Sequence, residues 1–264
     1  MKLARRNILA LAAGAVVPAA VVRSQGRAAP AIAAAADLQA AVPQIVERFA
    51  RATGRQVRVA YGSSGTFAQQ ILMGAPFEMF LSADEGFVAK VAAGGRTQGE
   101  GRLYAIGRIG QFQPARSAIA ADSALRDLGE AVKDGRLKRF AIANPEHAPY
   151  GRAAREAMQR AGIWDAIEPR LVLGENAAQA TQFAMSGSAQ GGIIPLSLAL
   201  TPEVARAGRF ALIAEDWHKP LRQQMVLLKG AGETARAFFA FMQAPQARAI
   251  LRRFGFLLPG ETPG

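Results

Sequence analysis

From residue 31 onward, short apolar runs alternate with helical segments that end at glycines, and this alternation commits the chain to an α/β fold. Residues 31–36 are small and apolar, suited to a buried parallel strand. A helix follows with Val42, Ile45, Val46 and Phe49 on one face, Pro43 in its first turn and Gly54 just past its end. The same reading gives strands at 56–61 and 77–81, and helices at 66–73 and 85–93, stopped by Gly74 and Gly94. Residues 94–118 are Gly-rich and read as less regular. Beyond them alternate a helix at 124–134, a strand at 140–143, a helix at 151–161, a strand at 171–173, a helix at 177–185 and a strand at 192–195. Two helices close the chain, at 234–242 and at 245–254, the second with Pro at its start and Gly255 after it.

Residues 1–28 stand apart. They hold Lys2, Arg5, Arg6, Arg23 and Arg27, no acidic residue, and an apolar run from Ile8 to Val22 broken only by Gly14 and Pro18. A basic start followed by an apolar stretch of this length reads as an export signal, too short for a membrane span. Arg5-Arg6 followed by Asn7-Ile8-Leu9 fits a twin-arginine signal, and equally an ordinary secretory signal that holds two arginines. Cleavage is expected within residues 24–30. The full chain carries 32 basic and 20 acidic residues; without the signal the balance is 27 against 20, or +7. That favours solubility and mild attraction of anions. The basic residues are scattered and not interleaved with aromatics, which gives no nucleic-acid signature. The remaining stretch of about 236 residues suits two α/β lobes better than one sheet.

The absence of cysteine excludes a disulfide framework, thiolate metal ligands, a thiol nucleophile and an N-terminal lipid anchor, and two histidines are too few for a multi-histidine metal centre. In α/β sheets, ligands collect where strands run into helix N-termini. Four such junctions carry small or hydroxyl residues: Ala36-Asp37, Gly62-Ser63-Ser64-Gly65-Thr66, Ala148-Pro149-Tyr150-Gly151 and Glu175-Asn176-Ala177-Ala178. Each offers free backbone N–H groups at the positive end of a helix dipole, and several converging would bind an anion without any Lys or Arg. Taken singly, a serine there is an ordinary cap. Gly62–Gly65 is no nucleophile elbow, because Thr66 stands where the closing glycine belongs if Ser64 is the nucleophile. His147 and His218 sit in no motif, Asp84 is expected to cap the next helix rather than ligate a cation, and no phosphate-loop or dinucleotide fingerprint occurs.

Several segments together resemble the periplasmic molybdate-binding proteins of ABC importers: AAAADL (33–38), YGSSGTFAQQILMGAPFEMFLSADEGFV (61–88), YAIGR (104–108), NPEHAPYG (144–151), GENAAQA (174–180), SGSAQGGIIPLSLAL (186–200) and PQARAILRRFGF (245–256). The resemblance implies a periplasmic-binding-protein fold of two α/β lobes with mixed, mostly parallel sheets. It places two crossovers near 104–113 and 219–225, one lobe comprising 29–106 and 222–264, and the other 107–221. It further implies a monomeric, non-enzymatic receptor without a cofactor, handing molybdate or tungstate to an ABC permease in the inner membrane. Carried over by position, the ligand-binding residues are Asp37 and Ser64 from the first lobe, with Ala36 and Ser63 beside them. Tyr150 and the backbone N–H of Ala177 come from the second lobe. Where some relatives have a further tyrosine, this chain has Pro195, and Tyr150 is the residue expected to replace its hydroxyl.

Asp37 departs from the resemblance, which leads one to expect Ser or Asn. A carboxylate within about 4 Å of a dianion costs several kcal/mol unless screened or protonated. Three accounts follow: Asp37 turns away and caps its own helix, it is protonated and donates, or the ligand is a different oxyanion or a small acid. Capping is the expectation. An exported hydrolase using Ser64 is the alternative of another class.

Overall fold

The computed structural model describes residues 28–260, so the export segment expected at 1–28 lies outside the described residues apart from Ala28. In chain order the elements run β1 (Ala31–Ala35), α1 (Val42–Thr53), β2 (Arg58–Gly62), α2 (Ser64–Leu72), β3 (Met79–Ser82), α3 (Glu85–Ala93), β4 (Thr97–Gly107) and β5 (Ile109–Pro114). They continue with α4 (Arg126–Lys133), β6 (Phe140–Ala143), α5 (Pro149–Arg160), α6 (Trp164–Ile167), β7 (Leu171–Gly174), α7 (Ala177–Met185), β8 (Gly192–Pro195), α8 (Leu196–Ala199), α9 (Pro202–Ala207), β9 (Gly208–Leu212), β10 (Leu221–Leu228), α10 (Glu233–Phe241) and α11 (Pro245–Arg253).

Two five-stranded sheets result, ordered β2-β1-β3-β10-β4 and β7-β6-β8-β5-β9. In each, two pairings are parallel and two antiparallel. The antiparallel share exceeds what strand–helix alternation suggests: β10 runs antiparallel to both β3 and β4, and β5 runs antiparallel to both β8 and β9. The chain leaves the first sheet between β4 and β5, with only Arg108 between them, and returns between β9 and β10. The stretch read as irregular, 94–118, therefore holds the whole of two strands, and the region expected to cross over at 219–225 is already largely β10.

Small residues let helices close onto both faces of β1, where Ile32, Ala33 and Ala34 are fully buried. On one face, Phe49 of α1 meets Phe238 and Phe241 of α10 edge-to-face, at centroid distances of 5.2 and 5.5 Å. On the other, Phe67, Ile71, Val88 and Val91 of α2 and α3 cover Phe80 and Val226. Gly54 ends α1 at φ 68°, its N–H donating to the Ala50 carbonyl at 2.9 Å, a conformation most other residues adopt only with strain. In the second sheet, α4, α5 and α6 pack on Phe140 and Ile142, while Phe112, Ala141 and Ile194 face Ala184 of α7 and Val204 of α9. The loops following β1, β2, β3, β6 and β7 meet between the sheets.

Candidate functional site

All six residues singled out from the sequence, Ala36, Asp37, Ser63, Ser64, Tyr150 and Ala177, line one cavity between the sheets. Its volume is ≈10 Å³, room for about one water. No Lys or Arg lines it. A larger groove of ≈740 Å³, lined by Gln39, Asn176, Gln182, Thr201 and Glu203 among others, contains none of the six.

Each wall has a local cause. Ser63 is extended, at φ −73° and ψ 138°, and turns the end of β2 into α2. Ser64, two residues earlier in the helix than the expected start, accepts from the Ala83 N–H at 2.9 Å, which leaves its own hydroxyl proton free to donate. Pro149 occupies the first turn of α5, where a missing N–H costs nothing, and sets Tyr150 at the helix mouth. Asn176 caps α7 by accepting from Ala178 and Gln179 at 3.0 and 3.1 Å. The first N–H of that helix belongs to Ala177 and has no acceptor within the helix. Three helix N-termini thus converge from both sheets.

Asp37 corrects the capping expectation. The short turn it belongs to, Ala36–Leu38, has no side-chain cap. Its carboxylate is instead fully buried, with Oδ2 accepting from the Tyr150 hydroxyl at 2.8 Å and from Gln223 Nε2 at 2.6 Å. Gln223 Oε1 in turn accepts from the Tyr104 hydroxyl at 2.7 Å, and Ser197 Oγ donates to the Asp37 carbonyl at 2.8 Å. Asp37 Oδ1 is buried without a partner. Burial pushes the Asp37 carboxyl up to about 6, against the lowering effect of the Gln223 and Tyr150 hydrogen bonds. Burial, and then the Asp37 charge, hold Tyr104 and Tyr150 well above the usual phenol range. The Tyr150 hydroxyl therefore already serves Asp37.

The sheets are drawn together over this cavity. The His147 carbonyl accepts from Ser63 Oγ at 2.5 Å and from the Gly65 N–H at 3.0 Å. Arg152 pairs with Asp84 at 2.6 Å, and Thr66 donates to Glu175 at 3.2 Å. Asp84 also caps α3, as expected, accepting from Gly86 at 2.7 Å. His147 Nδ1 lies 3.0 Å from Ser63 Oγ, not at Ser64, and the Ser63 proton goes to a backbone carbonyl. Gln223, Tyr104 and Arg152 escaped the sequence reading. The one available cue was the polar pair Gln223-Gln224 inside an apolar strand.

A family model for bacterial extracellular solute-binding proteins matches residues 30–257. The chain belongs to that family. Among its relatives, a molybdate-binding protein ModA of Rhodobacter capsulatus is 38% identical over 94% of each chain. The ModA of Azotobacter vinelandii is 32% identical over 95% of this chain and 96% of its own. A solved structure of the Azotobacter vinelandii periplasmic molybdate-binding protein superposes with a TM-score of 0.79 at 28% identity, covering 87% of this chain and 99% of the other. The two-sheet architecture is that of this solute-binding fold.

Proposed function

We propose that this chain is an exported, monomeric receptor that captures molybdate or tungstate between two lobes and delivers it to an ABC permease in the inner membrane. The observation that carries this is the convergence of three helix N-termini on a cavity with no basic side chain. Relatives with molybdate in their names, aligned over nearly the whole chain, support the choice of oxyanion. On this reading the lobes comprise 29–106 with 222–264, and 107–221. Residues 1–28 direct export, and Ser63, Ser64, Tyr150, Ala36, Asp37 and the Ala177 N–H surround the anion. The metal is reached only through its oxygens, so no side chain ligates it directly and no cofactor is required. Catalysis is not part of the reading: the Ser63 proton goes to the His147 carbonyl even though His147 Nδ1 lies 3.0 Å from that hydroxyl, and Ser64 has no base beside it. One observation favours a second reading, a different oxyanion: the carboxylate of Asp37 in the wall.

The test is a thermal melt and calorimetric titration with molybdate, tungstate, sulfate and phosphate. A thousandfold excess of ligand over Kd stabilises by ~4 kcal/mol, roughly 8–16 °C in Tm for a chain of this size. Molybdate and tungstate are expected to bind at least a hundredfold tighter than the smaller anions, about 2.7 kcal/mol. Equal affinity for sulfate or phosphate would remove the molybdate assignment.

A further inference from the structure

We infer that Asp37 meets the oxyanion as a neutral acid donating from Oδ1, so that binding brings a proton into the site wherever the free carboxylate is ionised. This rests on the oxyanion reading above. The starting observation is geometric. Asp37 Oδ2 is occupied by Tyr150 and Gln223, whereas Oδ1 is buried, unpartnered and belongs to a residue of the cavity wall. An ionised Oδ1 offers a ligand oxygen only repulsion; a protonated one offers a donor, like Ser64 Oγ and the helix N–H groups around it.

The surroundings supply no cation to do the same work. Tyr150 on α5 faces Asp37 directly, and Tyr104 on β4 reaches it through Gln223 on β10. Both phenols are held neutral by burial. Ser197 on α8 hydrogen-bonds the Asp37 carbonyl, Ser63 just before α2 and Ser64 at its start are neutral, and Arg152 and Asp84 pair with each other. Of the two imidazoles, His147 faces Ser63 and Glu175, and His218 Nδ1 lies 2.9 Å from the Lys219 carbonyl. Three helix N-termini contribute at most about +1.5 of effective charge. Set against a dianion and a carboxylate they leave about −1.5, and one proton reduces that to about −0.5. The burial-raised value of about 6 puts proton uptake within reach of neutral solution before any ligand arrives, and a dianion nearby raises it further. The balance is simple: one proton moves from solvent to Oδ1, the O–H donates to a ligand oxygen, and no bond to the ligand is made or broken.

The experiment is calorimetric titration of the dialysed protein with sodium molybdate at pH 6, 7 and 8, each in two buffers of different ionisation enthalpy. Uptake of about half a proton is expected at pH 6, rising towards one at pH 8, with affinity falling by up to tenfold per pH unit above 6. Asp37→Asn, which places an amide donor at the same position, should bind with no proton uptake and a flat pH profile. Binding by the wild type without proton uptake overturns this inference and leaves the oxyanion reading standing. Uptake that survives in Asp37→Asn, or disappears in His147→Gln with Asp37 intact, assigns the proton elsewhere and also overturns it. No molybdate binding at any pH removes the oxyanion reading and this inference with it.

Discussion

Substituting Gly65 by alanine separates closure of the lobes from folding of either one. Gly65 lies in the first turn of α2, and a Cβ built there would stand 2.5 Å from the His147 carbonyl oxygen and 2.9 Å from its Cβ. Backbone atoms cannot yield as a flexible side-chain end does, so the two sides must part by several tenths of an ångström. Doing so lengthens both hydrogen bonds to that carbonyl, from the Gly65 N–H at 3.0 Å and from Ser63 Oγ at 2.5 Å. At about 1 kcal/mol each, with some loss of packing, the closed state weakens by ~2–3 kcal/mol. Because the ligand is held only between closed lobes, affinity should fall about 30- to 150-fold. The open protein should not suffer, since alanine is favoured over glycine within a helix by roughly 0.5–1 kcal/mol. Calorimetry with molybdate gives the affinity, a melt without ligand gives the stability, and small-angle scattering reports closure. A Kd within threefold of wild type would refute the reasoning, as would a lowered Tm of the unliganded protein.

Ser64→Ala should lower oxyanion affinity ten- to hundredfold through loss of a charge-assisted bond of ~1.5–3 kcal/mol. It should also lower the ligand-free Tm by a few degrees, because the Ala83 N–H loses its acceptor; an unchanged titration would place Ser64 outside the site. Arg152→Met removes the pair with Asp84, which is largely shielded from solvent, and should cost about fivefold in affinity, an effect that shrinks in high salt. If calorimetry at low salt shows no change, the pair contributes nothing to closure. In the free protein, Asp37 is raised from 3.8 to about 6, so its contribution to stability is fully present below pH 4 and is lost as pH rises through 6, roughly 3 kcal/mol in all. Asp37→Asn should therefore gain on wild type between pH 4 and pH 8 by that order in urea unfolding, and a gain under 1 kcal/mol would contradict it.

Elements whose causes are local could be read in advance. The helix α1 announces itself by an apolar face, Pro43 and Gly54; α7 and β8 have the expected bounds because Asn176 and Pro195 mark them. The strands β4 and β10 could not. The first half of β4 is polar, carries Gly99 at φ 75°, and is largely exposed or half-buried, so no alternation betrays it. It becomes a strand because β10, more than a hundred residues later, pairs with it through two register irregularities. Such pairing pays off only after the chain has returned from the second sheet, and no window of local sequence contains it.

The same distinction divides the site. The junctions that hold Ser63, Ser64, Tyr150 and Ala177 are legible because strand-to-helix turns dictate where N–H groups are free, a local rule; the choice of these residues within them is what the resemblance implies. The cavity they share follows from topology, since a chain that crosses twice brings the strand ends of both sheets face to face. Asp37 fails under the local rule for an identifiable reason. An aspartate just after a strand and within the first turn of a helix satisfies every local criterion for a cap. The partners that take its side chain, Tyr150 and Gln223, stand 113 and 186 residues away. A cap at the surface would have kept its charge at little cost, whereas the buried position leaves Oδ1 without a partner. A carboxylate retained at such a cost, in a wall otherwise built of neutral donors, is explained by what it does when a ligand oxygen arrives.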